Sequence, residues 1–303
     1  MDHEPIPPSS TPTITLAQRA NFAFLFLLCL VGFVVTQILS VNIAARLVHA
    51  GGDSLAFNSV YRPLALSMML FLFGVIARYL GRNQGSLLEV QGLGMALQSG
   101  RELVKGLSLG TVMILLCVIA IALFGRYSAQ MLPSSGIWLR ILGILWMGIT
   151  AATMEEVAFR GYPFQALTRS IGPWGATLAL ALLFGFIHLS NPNSSALGFL
   201  NTALVSVLLS IAYLRTGYLW MPIGIHVAWN LVLGTVFGLP VSGVNIFAVI
   251  VKGMAEGPIL VTGGDYGIEA SVVCAIVILA GIVAVYWMAQ PKIVSSNGTS
   301  SQV

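Results

Sequence analysis

Residues 137–160 read IWLRILGILWMGITAATMEEVAFR. The run is apolar and long enough to cross a bilayer, for which about 20 residues suffice. Yet it carries Glu155, Glu156 and Arg160 within its last turns. Each ionisable group in hydrocarbon costs roughly 2.5–3.5 kcal/mol on insertion scales, so such groups rarely sit there without a partner or a job. Only 8% of this chain is charged, which makes three charges in six positions a concentrated signal.

The whole chain of 303 residues is 57% hydrophobic, with mean hydropathy +0.92. Soluble domains hold about 45–50% apolar and about 25% charged residues, so this composition predicts an all-α integral membrane protein. Eight spans are expected, near residues 20–40, 62–80, 104–124, 137–159, 174–190, 197–214, 219–238 and 270–289. The net charge of +4 is scattered, which argues against nucleic acid as a partner. Cys29, Cys117 and Cys274 lie far apart in apolar spans without ligand spacing, and read as small buried side chains.

Residues 1–18 form an expected disordered tail rich in Pro, Ser and Thr. Asp2 and Glu4 without a basic residue do not make the start of a cleaved signal peptide. A membrane domain is expected over 19–290, with its motif core at 137–235, and a second disordered tail over 291–303. Nine Lys and Arg residues fall on the side of the termini, among them Arg78, Arg82 and Arg160. Five fall on the other side, among them Arg62, Arg126 and Lys252. The positive-inside rule then predicts a multi-pass protein of the cell (inner) membrane with both termini cytoplasmic. Mixed polarity over Ser86–Lys105 suggests an amphipathic surface helix, with an ordinary connecting helix as the plainer alternative. The segment Gly238–Glu269 reads as a long, turn-rich loop. Gly106 and Gly110 make a small-residue pair suited to helix packing.

Helix geometry separates the two glutamates, since successive positions point about 100° apart while positions four apart share a face. Glu156 therefore stacks with Arg160 as a structural ion pair, and Glu155 stacks with Phe159, free to take a proton. His226 and Asn230 are also four apart and can aim imidazole and amide at one developing oxyanion. Phe184 similarly stacks over His188 and can hold its ring. A carboxylate, two imidazoles and an amide on three helices suit activation of water against a carbonyl. A plainer reading is a charge cluster that locks helices together, and either histidine alone is an ordinary packing residue.

Glu155-Glu156-x-x-x-Arg160, Phe184-x-x-x-His188 and His226-x-x-x-Asn230 resemble, in order and spacing, the motifs of one family. It is the CAAX protease and bacteriocin-processing (CPBP, or Abi) family of intramembrane glutamic endopeptidases. The run Thr262–Glu269 is similar to loops of its bacterial members. The resemblance implies eight helices around a cavity open to the cytoplasm and bilayer. It implies that Glu155 and His188 activate water, that His226 and Asn230 form an oxyanion hole, and that Glu156 and Arg160 support them. It also implies a membrane-associated or lipidated peptide substrate and no cofactor.

Two other readings stay open. Glu155, His188 and His226 can instead converge as a two-His, one-carboxylate zinc site of an intramembrane protease. The same polar set can carry protons in a transporter, or persist inertly in a scaffold or immunity protein. The depth of His188 is a further question, because the fifth span runs outward from Trp174 and carries His188 away from the level of Glu155. A short helix ending at mid-depth beside a wet cavity resolves that tension, since irregular backbone is permitted there.

Overall fold

A computed structural model of the chain describes residues 14–288, apart from 50, 51, 53, 97, 134 and 249. The expected C-terminal tail and residues 1–13 of the N-terminal tail lie outside the described residues. The helices, in order, are α1 (Leu16–Leu47), α2 (Leu55–Val75), α3 (Ser99–Phe124), α4 (Ile137–Arg160), α5 (Tyr162–Ile171), α6 (Pro173–Ile187), α7 (Ala196–Thr216), α8 (Trp220–Leu231), α9 (Ile259–Thr262) and α10 (Val272–Met288). Strands β1 (Arg126–Met131) and β2 (Val251–Glu256) pair antiparallel.

Among the described residues, six helical segments are long and apolar enough to cross a membrane: Leu16–Leu47, Leu55–Leu80, Ser99–Phe124, Ile137–Ile171, Pro173–Ser190 and Ala196–Thr216. Two shorter apolar segments, Trp220–Val236 and Val272–Met288, occupy the positions of the last two expected spans. The protein is thus a mostly helical, multi-pass membrane protein. Local chemistry sets several helix starts. Thr15 and Gln18 cap α1 reciprocally, Ser54 accepts from the Phe57 N–H at 3.1 Å, and Ser195 accepts from the Gly198 N–H at 3.1 Å. These bonds satisfy first-turn N–H groups that a helix cannot pair itself.

Tertiary hydrogen bonds define two opposite faces. On the face of the described chain ends, Arg169 of α5 meets Asn83 at 3.3 Å, the Trp220 indole donates to Gly94 O at 3.0 Å, and Lys105 donates to Met288 O at 3.1 Å. On the opposite face, the Trp146 indole donates to Ser59 O at 3.0 Å, Tyr127 to Phe237 O at 2.8 Å, and Asn191 to Ser242 O at 3.0 Å. The buried core fills the space between these faces.

The closest helix contact is between α3 and α8, and glycine permits it. A Cβ placed on Gly106 lies 3.1 Å from Gly224 Cα and 3.0 Å from Ile225 N, so the two backbones touch. Small residues are what allow such approach in a bilayer, where packing rather than water drives association. The pair Gly106 and Gly110 thus sets the position of α8, which carries His226 and Asn230.

Three expectations are corrected. Ser86–Lys105 is not one helix: it holds a single 3-10 turn at Glu89–Gln91, and α3 begins only at Ser99. Gly92 turns the chain at φ +85°, which only glycine adopts cheaply, and Gln91 is buried, accepting from the Tyr162 N–H at 3.0 Å. The segment Gly238–Glu269 is more than a turn-rich loop, because residues 251–256 form a strand that pairs with β1. Finally, α2 starts at Leu55, so Arg62 lies two turns inside a membrane helix and is not a flanking loop charge.

Candidate active site

A cleft of about 250 Å³ descends between α2, α4, α6 and α8. Helical spacing builds its walls. Asn58 and Arg62 line it from α2, Met147, Ala151 and Glu155 from α4, and His226 and Asn230 from α8. Members of each set are four residues apart and so share a helix face. His188 and Asn191 close one side from the turn that follows α6. At 15 residues, α6 is about 22 Å long, short of the roughly 30 Å hydrocarbon thickness. His188 therefore reaches the same cleft as Glu155, which answers the question of its depth.

Among the residues that line the cleft, Asn191 and Ser242 belong to turns on the face opposite the described chain ends.

Glu155 keeps 22% of its side-chain exposure whereas Glu156 and Arg160 keep none, so Glu155 is the carboxylate that can meet water. Glu156 lies 3.3 Å from Arg160, whose guanidinium also donates to Ser206 Oγ at 2.5 Å and Ser206 O at 3.0 Å. The i,i+4 ion pair is thus present. Glu156 has a second role that spacing did not disclose: its Oε1 lies 2.7 Å from His226 Nδ1. Glu155 is not unpartnered either, with Arg62 at 3.8 Å and His226 Nε2 at 3.7 Å.

The two imidazoles differ in what they can offer. His188 Nδ1 sits 2.7 Å from Phe184 O. A carbonyl only accepts, so Nδ1 carries hydrogen and Nε2 of the neutral ring keeps its lone pair. That is the tautomer of a base. His226 Nδ1 likewise donates to Glu156, so its Nε2 donates only when the ring is an imidazolium. Two flanking carboxylates compensate that charge. The Phe184 ring lies 4.5 Å from that of His188, tilted by 48°, and meets His226 and Phe159 edge-on at 6.5 and 4.9 Å. The Arg160 guanidinium stands 5.0 Å from the Phe184 ring centre. Phe184 is therefore the apolar pivot between the histidines and the buried ion pair.

Behind the histidines lies a smaller cavity of about 40 Å³, enough for a water. It is lined by Phe184, His188, His226 and Asn230, and also by Ser242 and Glu269. Arg62, Ser242 and Glu269 were not singled out from sequence as site residues. Arg62 was legible in principle as a charge within an apolar helix; Ser242 and Glu269 sit in a loop with no periodicity to betray them. Burial raises the pKa of Glu269, opposed by hydrogen bonds from Ser242 and Trp229 and by His188. Among the described residues, no three His, Cys, Asp or Glu side chains are grouped to hold a metal ion.

Residues 136–232 match the protein-family model described as type II CAAX prenyl endopeptidase Rce1-like. That segment contains Glu155, Glu156, Arg160, Phe184, His188, His226 and Asn230, and excludes Arg62, Ser242 and Glu269. A search of curated proteins found no match. The likeness is confined to residues 136–232, where the chain is similar to an Rce1-like domain, and it supports a hydrolase of the CAAX-protease type.

Proposed function

We propose that the protein is an intramembrane glutamic endopeptidase that hydrolyses a peptide bond of a membrane-associated or lipidated substrate. The observation that carries this reading is the convergence of Glu155, His188, His226 and Asn230, from three helical segments, on one cleft of about 250 Å³. A water held between the Glu155 carboxylate and His188 Nε2 attacks the carbonyl carbon and gives its proton to Glu155. The carbonyl oxygen takes up the negative charge and accepts hydrogen bonds from Asn230 and from the His226 imidazolium. The C–N bond then breaks as the proton passes from Glu155 to the departing nitrogen, leaving a new carboxylic acid and an amine. Glu156 favours the charged ring of His226 and, itself anchored by Arg160, holds it in place, and no metal or cofactor takes part.

The excess of basic residues on the face of the termini supports cytoplasmic ends in the cell membrane. It persists at eight against four when buried Arg160 and cleft-lining Arg62 are set aside. On that orientation the turns that carry Asn191 and Ser242 face outward.

The test uses purified protein in proteoliposomes with two quenched peptides, one anchored by an S-prenyl cysteine and one by a single apolar helix. Wild type cleaves at least one of them after exhaustive chelation, and Glu155→Gln and His188→Ala cleave neither. Activity abolished by chelation and restored by zinc assigns the site to the zinc-dependent alternative. In cells, proteomics of membrane-protein termini comparing wild type with Glu155→Ala identifies the natural substrate as the protein whose new terminus disappears.

A further inference from the structure

Glu269 stands outside the matched segment and outside the chemistry described above, yet it is partly buried and lines one cavity with both histidines and Asn230. Its Oε1 accepts from the Trp229 indole N–H at 2.9 Å and from Ser242 Oγ at 3.3 Å. Its Oε2 accepts from the Ser242 backbone N–H. Its own carbonyl accepts from Asn201 Nδ2 at 2.8 Å, which pins it to α7. Each of these partners leads to a different part of the site. Trp229 precedes Asn230 on α8, so the indole bond fixes the rotation of the helix that presents Asn230 and His226. Ser242 O accepts from Asn191 at 3.0 Å, three residues beyond His188 in the turn that ends α6.

The geometry of the loop shows that this linkage is built. Ser242 has φ +47°, an uncommon conformation for a residue with a side chain, and needs surrounding bonds to hold it. Gly267, with φ +96°, brings the chain against Pro240 so closely that a Cβ there would lie 2.8 Å from Pro240 O. That approach delivers residues 268–270 to the back of the histidines.

We propose that Glu269 is a positioning residue that holds the water-activating arm and the oxyanion arm of the site in register. The proposal rests on the endopeptidase reading for its kinetic consequence, but not for its structural one. A shift of about 1 Å in a catalytic group costs around 100-fold in rate. Glu269→Ala is therefore expected to lower kcat about 100-fold with KM changed less than about two-fold. Glu269→Gln keeps one acceptor oxygen and recovers about ten-fold of that loss. Trp229→Phe removes the donor but keeps the ring, and is expected to lower kcat about ten-fold. The double variant Trp229→Phe/Glu269→Ala is no slower than Glu269→Ala alone, because both cut the same link.

Hydrogen exchange read on the same reconstituted proteins separates this proposal from the protease reading. Glu269→Ala and Trp229→Phe are expected to speed exchange at residues 188–195 and 226–232, while α1 and α2 stay unchanged. Should wild type cleave no probe, the endopeptidase reading falls and exchange alone decides the linkage. Unchanged exchange at both segments in Trp229→Phe overturns it. So does kcat within two-fold of wild type in both single variants, or full additivity in the double variant. If Glu269→Ala does not fold, Trp229→Phe and Glu269→Gln carry the same readouts.

Discussion

Replacing Arg160 by methionine separates the buried charge pair from the chemistry beside it. The guanidinium is fully buried and has three bonds, to Glu156 and to the hydroxyl and carbonyl of Ser206. Methionine keeps an apolar stem but leaves the Glu156 carboxylate with His226 alone. Removing one member of a buried pair costs roughly 3–5 kcal/mol, because the other charge stays desolvated. At about 2–4 °C per kcal/mol for a chain of this size, the melting midpoint falls by roughly 6–20 °C. The assay is a thermal melt of purified protein in nanodiscs, followed by tryptophan fluorescence. The double variant Arg160→Met/Glu156→Met removes both charges, and apolar replacement of a whole buried pair is often neutral or stabilising. Its midpoint is expected to return close to wild type. Turnover is expected to stay low, since His226 Nδ1 has lost its acceptor at 2.7 Å. Stability thus follows charge balance and turnover follows Glu156. Arg160→Met melting with wild type, or a double variant melting no higher than the single, refutes the reasoning.

Three further outcomes are expected. Asn230→Ala lowers kcat by about 100- to 1,000-fold, the usual cost of losing one oxyanion donor, with a melting midpoint near wild type; kinetics on the cleaved probe peptide check this. Gly110→Leu forces α3 off α8, because a Cβ at Gly110 already lies 2.9 Å from Ala228 Cβ. The resulting overpacking of about 1–3 kcal/mol or more lowers both the melting midpoint and turnover, and a variant with wild-type values of both contradicts the packing account. In a cysteine-free background, an impermeant thiol reagent on intact cells labels Gln130→Cys in β1 and spares Gln84→Cys on the opposite face. The reverse pattern overturns cytoplasmic termini.

Local geometry made part of the site readable. The pairs Glu156–Arg160, Phe184–His188 and His226–Asn230 follow from 3.6 residues per turn, and each was legible because a helix converts spacing of four into a shared face. The approximate positions of the apolar helices followed from hydropathy, because backbone groups in lipid must be paired within the segment. The same reasoning failed at Ser86–Lys105, where Gly92 and the tertiary bond of Gln91 to α5 overrode the amphipathic pattern. It failed again for β1 and β2, whose pairing joins segments some 120 residues apart.

Sequence alone determined that this is a helical membrane protein with a concentrated polar set, and which neighbours on each helix share a face. Tertiary structure alone decided which faces meet. It brought Arg62 to Glu155, gave Glu156 to His226 as well as to Arg160, and carried Glu269 behind the histidines. The reason is that periodicity describes rotation about one helix axis, whereas depth and encounter depend on how helices of different length pack and where each one ends.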